Sequence, residues 1–152
     1  MSSVFEKLNL KAQREILVLN SPESFEPELE MLDGVTILRD LQTVTVVHFA
    51  LVFAIRKAEV DAASKALVSK AQGDAILWFA YPKGTSTNYK CEFNRDSGWD
   101  VLGRAGYEGV RMVAIDQDWS ALRFRRVEYI KSLARDPSRA RSEAGKARIS
   151  RK

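Results

Sequence analysis

The spacing of apolar and polar positions changes several times along the chain, and each change marks an element. Residues 15–20 (EILVLN) are a short apolar run stopped by Asn20-Ser21-Pro22, which predicts a buried strand. Residues 43–54 form a longer run of β-branched and aromatic side chains with almost no polar interruption. Central parallel strands, covered on both faces, read this way. Residues 75–81 predict another buried strand, and residues 35–38 and 110–115 predict shorter ones. At 120–126 the pattern alternates, with Leu122 and Phe124 set against Arg123 and Arg125. That is a strand with one wet face.

Helical spacing is clearest over 57–72, where Val60, Ala63, Ala66 and Leu67 recur by threes and fours and Gly73 supplies a stop. Weaker helices are predicted over 1–14, from Ser21 or Ser24 to Met31, and from an N-cap at Asp96 or Ser97 to Arg104. The resulting order is β-α-β-β-α-β-α-β-β. Strands separated by helices call for right-handed crossovers and helices on both faces of a mostly parallel sheet. The expected fold is a three-layer, Rossmann-like α/β sandwich ending in an antiparallel hairpin. Numbered along the chain, the strands are expected in the methyltransferase-like order 2-1-3-4-6-5, with strand 6 antiparallel.

Composition adds a boundary. The 152 residues suit one domain, and 45% hydrophobic with 29% charged residues is ordinary for a globular chain. The net charge of +4 is unevenly placed. Residues 131–152 hold eight basic side chains against Asp136 and Glu143, which leaves sixteen basic and eighteen acidic residues before them, a net of −2. The pI near 9.3 therefore belongs to the tail. We expect one α/β domain over 1–133 and a basic, disordered tail over 134–152, poor in large apolar groups. One cysteine excludes an internal disulfide and fits a reducing compartment. With no long apolar span and no secretory leader pattern, a cytoplasmic protein away from membranes is expected.

Candidate chemistry lies where the predicted strands end. Open α/β sheets take ligands outside the carboxyl ends of their strands, near the switch in strand order. A dinucleotide or S-adenosylmethionine site there would use a glycine-rich loop after the first strand. The chain reads LVLNSPESFEPEL at that place, without a glycine, and Glu23, Glu26 and Glu28 disfavour a phosphate. Asp40 follows the second strand in the manner of a ribose ligand, but Arg39 precedes it. No cofactor is expected. The loop after residue 82 offers Lys83, Thr85, Ser86, Lys90, Arg95 and Asp96, cations and hydroxyls suited to a small anionic ligand. The same residues also suit a solvated connection in which Asp96 only caps a helix.

His48 is the single histidine and Cys91 the single cysteine, so no metal site is expected; His48 reads as a core or edge histidine and Cys91 as a packing or idle thiol. Trp78, Trp99 and Trp119 read as core anchors, with Trp119 the one expected to be partly exposed. In the tail, Arg139, Arg141, Lys146, Arg148, Arg151 and Lys152 offer weak, sequence-indifferent contact to nucleic acid, or simply a solvating segment.

Three blocks carry a family resemblance. Leu77, Trp78, Ala80, Tyr81, Pro82, Lys83 and Ser86 make the first, Arg95, Asp96, Gly98 and Trp99 the second, and Val113–Asp116 with Trp119–Arg125 the third. The chain resembles a family of small uncharacterised bacterial proteins with the motifs YPK…S, RD-GW and VAID--WSALRFR, a domain of unknown function. The likeness extends over residues 8–126. It implies a bacterial source and a single compact domain, and it carries over no catalytic residue.

An intact sheet pattern without a glycine loop leads to the expectation of a non-enzymatic binding or accessory domain, with an unknown protein or a small anion as partner. Two alternatives stand beside it. One is a small enzyme acting on an anionic metabolite, with Lys83, Lys90 and Arg95 holding the anion and Asp96 or Asp116 as base. The other is a nucleic-acid-associated protein that binds through its tail.

Overall fold

A computed structural model of the chain describes residues 4–93 and 98–130. Its centre is one six-stranded sheet built from β1 (Glu15–Leu19), β2 (Thr36–Leu38), β3 (Val47–Phe53), β4 (Ala71–Pro82), β5 (Tyr107–Ala114) and β6 (Trp119–Arg126). The spatial order is β2-β1-β3-β4-β6-β5. Neighbours pair in parallel from β2 to β4, and β6 runs antiparallel to both β4 and β5. Fold class and strand order are those expected from the sequence.

The sheet has two apolar faces because its middle strands have no wet side. Six of the seven residues of β3 are buried, as are all residues of β4 from Ala75 onward. On one face, α3 (Lys57–Lys70) and α4 (Asp100–Arg104) cover Val52, Leu77, Phe79, Leu122 and Phe124. On the other, α1 (Val4–Lys7) and α2 (Glu26–Glu30) cover Val18, Leu51, Phe53, Trp78 and Trp119. Trp78 is fully buried and its indole N–H donates to the Leu8 carbonyl at 2.8 Å, so the largest side chain of the core also satisfies its polar atom. Trp119 is buried too, 3% exposed, where partial exposure was expected. It is held edge-on against Phe53 at 5.2 Å.

Element boundaries differ from the sequence pattern where glycine is involved. Helix α3 ends at Lys70, and β4 starts at once with Ala71. Gly73 is therefore inside a strand, at φ +58, and not the stop of a helix. The pairing of β3 with β4 is irregular there, stepping from Val47↔Ala71 to Phe49↔Ile76. The lead-in helix is a single turn that ends before Asn9, itself at φ +65. The helix expected from Ser21 or Ser24 begins as a 3₁₀ turn at Glu23–Phe25 and continues as α2. No helix among the described residues is long and apolar enough to cross a membrane.

Candidate functional site

The parallel strands β1, β3 and β4 all point their carboxyl ends to the same edge of the sheet, so the turn after β1 and the loop after β4 lie on one side. They are built very differently.

The turn after β1 is closed by its own side chains. Asn20 takes φ +58, a left-handed conformation that asparagine tolerates better than most residues. Its Nδ2 donates to the Phe53 carbonyl at 3.3 Å, which bridges the carboxyl ends of β1 and β3. Pro22 follows and has no N–H to offer, while the Phe25 amide is already bonded to the Pro22 carbonyl at 2.9 Å. The Phe25 ring is 1% exposed and packs 5.0 Å from the Phe53 ring. Beyond β2, Asp40 accepts the Gln42 amide at 2.9 Å and so caps the 3₁₀ turn Leu41–Thr43.

The loop after β4 is open above and anchored below. The Lys83 amide donates to the Asp118 carbonyl at 2.8 Å, and the Ser86 amide donates to the Lys83 carbonyl at 3.0 Å, closing a tight turn. The Ser86 hydroxyl donates to Asp118 Oδ1 at 2.9 Å and accepts the amides of Asn88 and Tyr89. Asn88 Nδ2 adds a second bond to Asp118, at 3.2 Å. The Tyr89 ring packs 5.0 Å from Trp119. Farther along, the Glu92 amide donates to the Ile55 carbonyl, and Glu92 Oε2 accepts the Lys57 amide at the start of α3. The loop is thus tied at three points, to the β5–β6 hairpin, to the end of β3 and to α3.

Between these ties lies a cleft of about 440 Å³, walled by Tyr81, Pro82, Tyr89 and Phe93, with Lys83 and Lys90 on it. Lys83 is half-buried and Lys90 exposed. Cys91 also lines the cleft. Burial raises its thiol above the ordinary value and outweighs a backbone hydrogen bond at Phe93; the Glu92 charge adds to the rise. It is a protonated thiol at neutral pH and not an activated nucleophile.

The expected anion-binding residues divide accordingly. Lys83, Ser86 and Lys90 come together at the cleft. Ser86 spends its hydroxyl on the loop's own anchoring. Thr85 is exposed at the tip of the turn and does not line the cleft. Arg95 and Asp96 lie outside the described residues, as do the tail cations Arg139, Arg141, Lys146, Arg148, Arg151 and Lys152. Asp116 is not placed as a base, because its Oδ1 accepts the amides of Asp118 and Trp119 and shapes the hairpin turn. His48 is exposed near the amino end of β3, at the opposite end of the strands from the cleft, and so is not a core histidine. Among the described residues no group of three or more potential ligands could hold a metal. Asp118 was not anticipated as part of this region. The only signal for it is its two-residue spacing from Asp116 before a strand, a pattern that also reads as an ordinary hairpin turn.

No protein-family model matches the chain, and neither does any curated protein. Solved structures do. The chain is similar to the N-methyltransferase NodS from Bradyrhizobium japonicum WM9, with 13% identity, a TM-score of 0.50, and coverage of 81% of this chain and 92% of that one. It is similar to a Sulfolobus solfataricus protein described as a type 11 methyltransferase, with 11% identity, a TM-score of 0.50, and coverage of 88% and 94%. The pyocyanin biosynthetic protein PhzM matches at 12% identity and a TM-score of 0.52, and the chain spans about half of its length, 52%. The fold is that of the methyltransferases.

This corrects the expectation of a non-enzymatic accessory domain. The structures that share the sheet include proteins named as methyltransferases, which are enzymes. The methyl donor of such a fold, S-adenosylmethionine, does not fit the turn after β1 as this chain builds it. The turn has no glycine to let the backbone come close to a ligand, Pro22 has no N–H, the Phe25 amide is bonded to the Pro22 carbonyl, and the Phe25 ring packs against Phe53.

Proposed function

We propose that the chain is a small enzyme of the methyltransferase-like class that takes an anionic small molecule in the cleft beyond the carboxyl end of β4. The cleft is the observation that carries the reading. Its volume of about 440 Å³ is in the range of small-molecule sites, and it opens on the edge of the sheet where open α/β folds take ligands. Lys83 and Lys90 supply positive charge on flexible stems, able to follow a carboxylate or phosphate. Tyr81, Tyr89 and Phe93 supply an apolar wall that lowers the local dielectric and strengthens those contacts. The methyltransferases among its structural neighbours support the enzymatic half of the proposal.

The turn after β1 does not fit the methyl donor. What these residues do by themselves is hold and orient an anion. Ser86 and Asp118 keep the floor of the site in place, and burial, by raising the Cys91 thiol, makes it a poor nucleophile at neutral pH.

Calorimetric titration tests the reading, with inorganic phosphate and a small dicarboxylate as probes and S-adenosylmethionine as a separate ligand. Saturable anion binding that weakens at least about tenfold in a Lys83→Ala/Lys90→Ala variant of unchanged melting temperature is the expected result, a loss of ~1.4 kcal/mol or more. Equal affinity in the variant would remove the cleft as the site.

A further inference from the structure

The last two strands, β5 and β6, carry an arrangement that the fold alone does not explain. Arg111 of β5 and Arg123 of β6 are directly opposite each other in the ladder. Cross-strand partners project from the same face, and like charges placed this way destabilise a sheet. Arg125, two residues farther along β6, projects from that face as well. Arg123 also pairs with the fully buried Trp78 across β4, so it stands at the margin of the apolar face and is half-buried. Its Nε is buried without a hydrogen-bond partner.

Acids compensate only part of this charge. Asp74 of β4 takes Arg125 in a two-bond pair, and Glu108 of β5 is opposite Arg125 in register. Arg111 and Arg123 have no acidic partner among the described residues. Burial, then the like charges of Arg125 and Arg111, push the Arg123 guanidinium below its ordinary value, with Asp74 acting the other way. A second observation concerns extent. The 22 residues that follow Ile130 contain eight lysines and arginines, and in sequence they come soon after the strand that carries Arg123 and Arg125, with the 3₁₀ turn Val127–Tyr129 between. A single small anion would answer the Arg111–Arg123 pair but not eight further cations close behind it in the sequence. A polyanion answers both.

We infer that the face of β5 and β6 bearing Arg111, Arg123 and Arg125 is a contact surface for the phosphate backbone of a nucleic acid. Contact of this kind is indifferent to sequence and strongly salt-dependent, because each neutralised phosphate releases a counterion. The surface is independent of the cleft beyond β4, and neither proposal needs the other.

The test is fluorescence anisotropy of the full chain with a labelled DNA duplex and with an RNA of the same sequence, over a series of salt concentrations. Arg111→Gln/Arg123→Gln is expected to weaken binding about tenfold or more and to lower the slope of log affinity against log salt by about 2 on duplex DNA. Arg104→Gln, an exposed arginine on α4 at the other face, should change neither. Because Arg111 is exposed, the single Arg111→Gln variant keeps the test valid if the double variant fails to fold. Unchanged affinity and slope in that single variant, or no binding of DNA and RNA by the wild-type chain, would overturn the inference. Arginine-dependent binding of a polyglutamate in place of nucleic acid would also overturn it, in favour of an acidic protein partner.

Discussion

The Ser86 hydroxyl donates to Asp118 Oδ1 at 2.9 Å, and through this bond the hairpin between β5 and β6 carries the loop that follows β4. Two segments 32 residues apart become one floor beneath the cleft. Asn88 and the Lys83 amide join the same aspartate, so a single residue organises most of the loop's polar contacts.

Asp118→Ala removes both side-chain bonds and leaves the Ser86 hydroxyl short of its acceptor. A loss of ~1–2 kcal/mol in stability is expected from two hydrogen bonds to one carboxylate, one part-buried and one exposed. Urea unfolding measures it. Faster amide exchange over residues 86–90, with the strands unaffected, would place the effect in the loop.

Gly98 is at φ +93, and a Cβ built on it would stand 2.6 Å from the Cβ of Phe93. Backbone strain and a clash with a buried side chain act together there, so Gly98→Ala should cost roughly 1–3 kcal/mol or more. Phe93 packs against both Tyr81 and Trp99 and has little room to move aside. A lowered urea midpoint with an unchanged slope is the expected reading, and a midpoint equal to wild type would remove the argument.

The sheet was legible because its middle strands are chemically unmistakable. Val47–Phe53 and Ala75–Tyr81 have no polar face to present to water, so only a central, doubly covered position accommodates them. Alternation at Leu122 and Phe124 marked β6 as a strand with one wet face; Arg123 and Arg125 are half-buried on that face, while Trp119 and Ala121 before them are buried. Glycine was less legible. Gly73 has the same look whether it ends a helix or bends a strand, and the difference lies in the pairing of Ala71 with Val47, a long-range contact. The site was legible in its cations and not in its frame. Lys83 and Lys90 could be named from charge and position, whereas Asp118 acquires its role only when the hairpin folds back beside β4.

Asp74 and Arg125 give a pH dependence of definite sign. The Arg125 hydrogen bonds hold the Asp74 carboxyl below its ordinary range, outweighing its modest desolvation. Because the folded value is below the unfolded one, the pair stabilises the fold above the unfolded value of ~3.9, and that contribution is lost as pH falls through the lowered value. Asp74→Asn should therefore be less stable than wild type at neutral pH, with the difference closing in acid. Urea midpoints across that range read the effect; a constant difference would contradict it.

Cys91 should react slowly. With its thiol raised by burial, little thiolate is present at neutral pH, and alkylation by iodoacetamide should lag behind that of a free cysteine peptide. The rate should climb as pH is raised toward the shifted value. Reaction as fast as the peptide's at pH 7 would contradict this and reopen a nucleophilic role in the cleft.

The most direct measurement is an amide NMR titration of the full chain with inorganic phosphate, followed by S-adenosylmethionine. If the cleft beyond β4 is the site, phosphate produces saturable shifts at Lys83, Gly84, Ser86, Tyr89 and Lys90, and the turn from Asn20 to Phe25 stays unmoved by either ligand. Saturable shifts over Asn20–Phe25 with S-adenosylmethionine, and none over residues 83–91 with phosphate, would contradict the account and move the site to the end of β1.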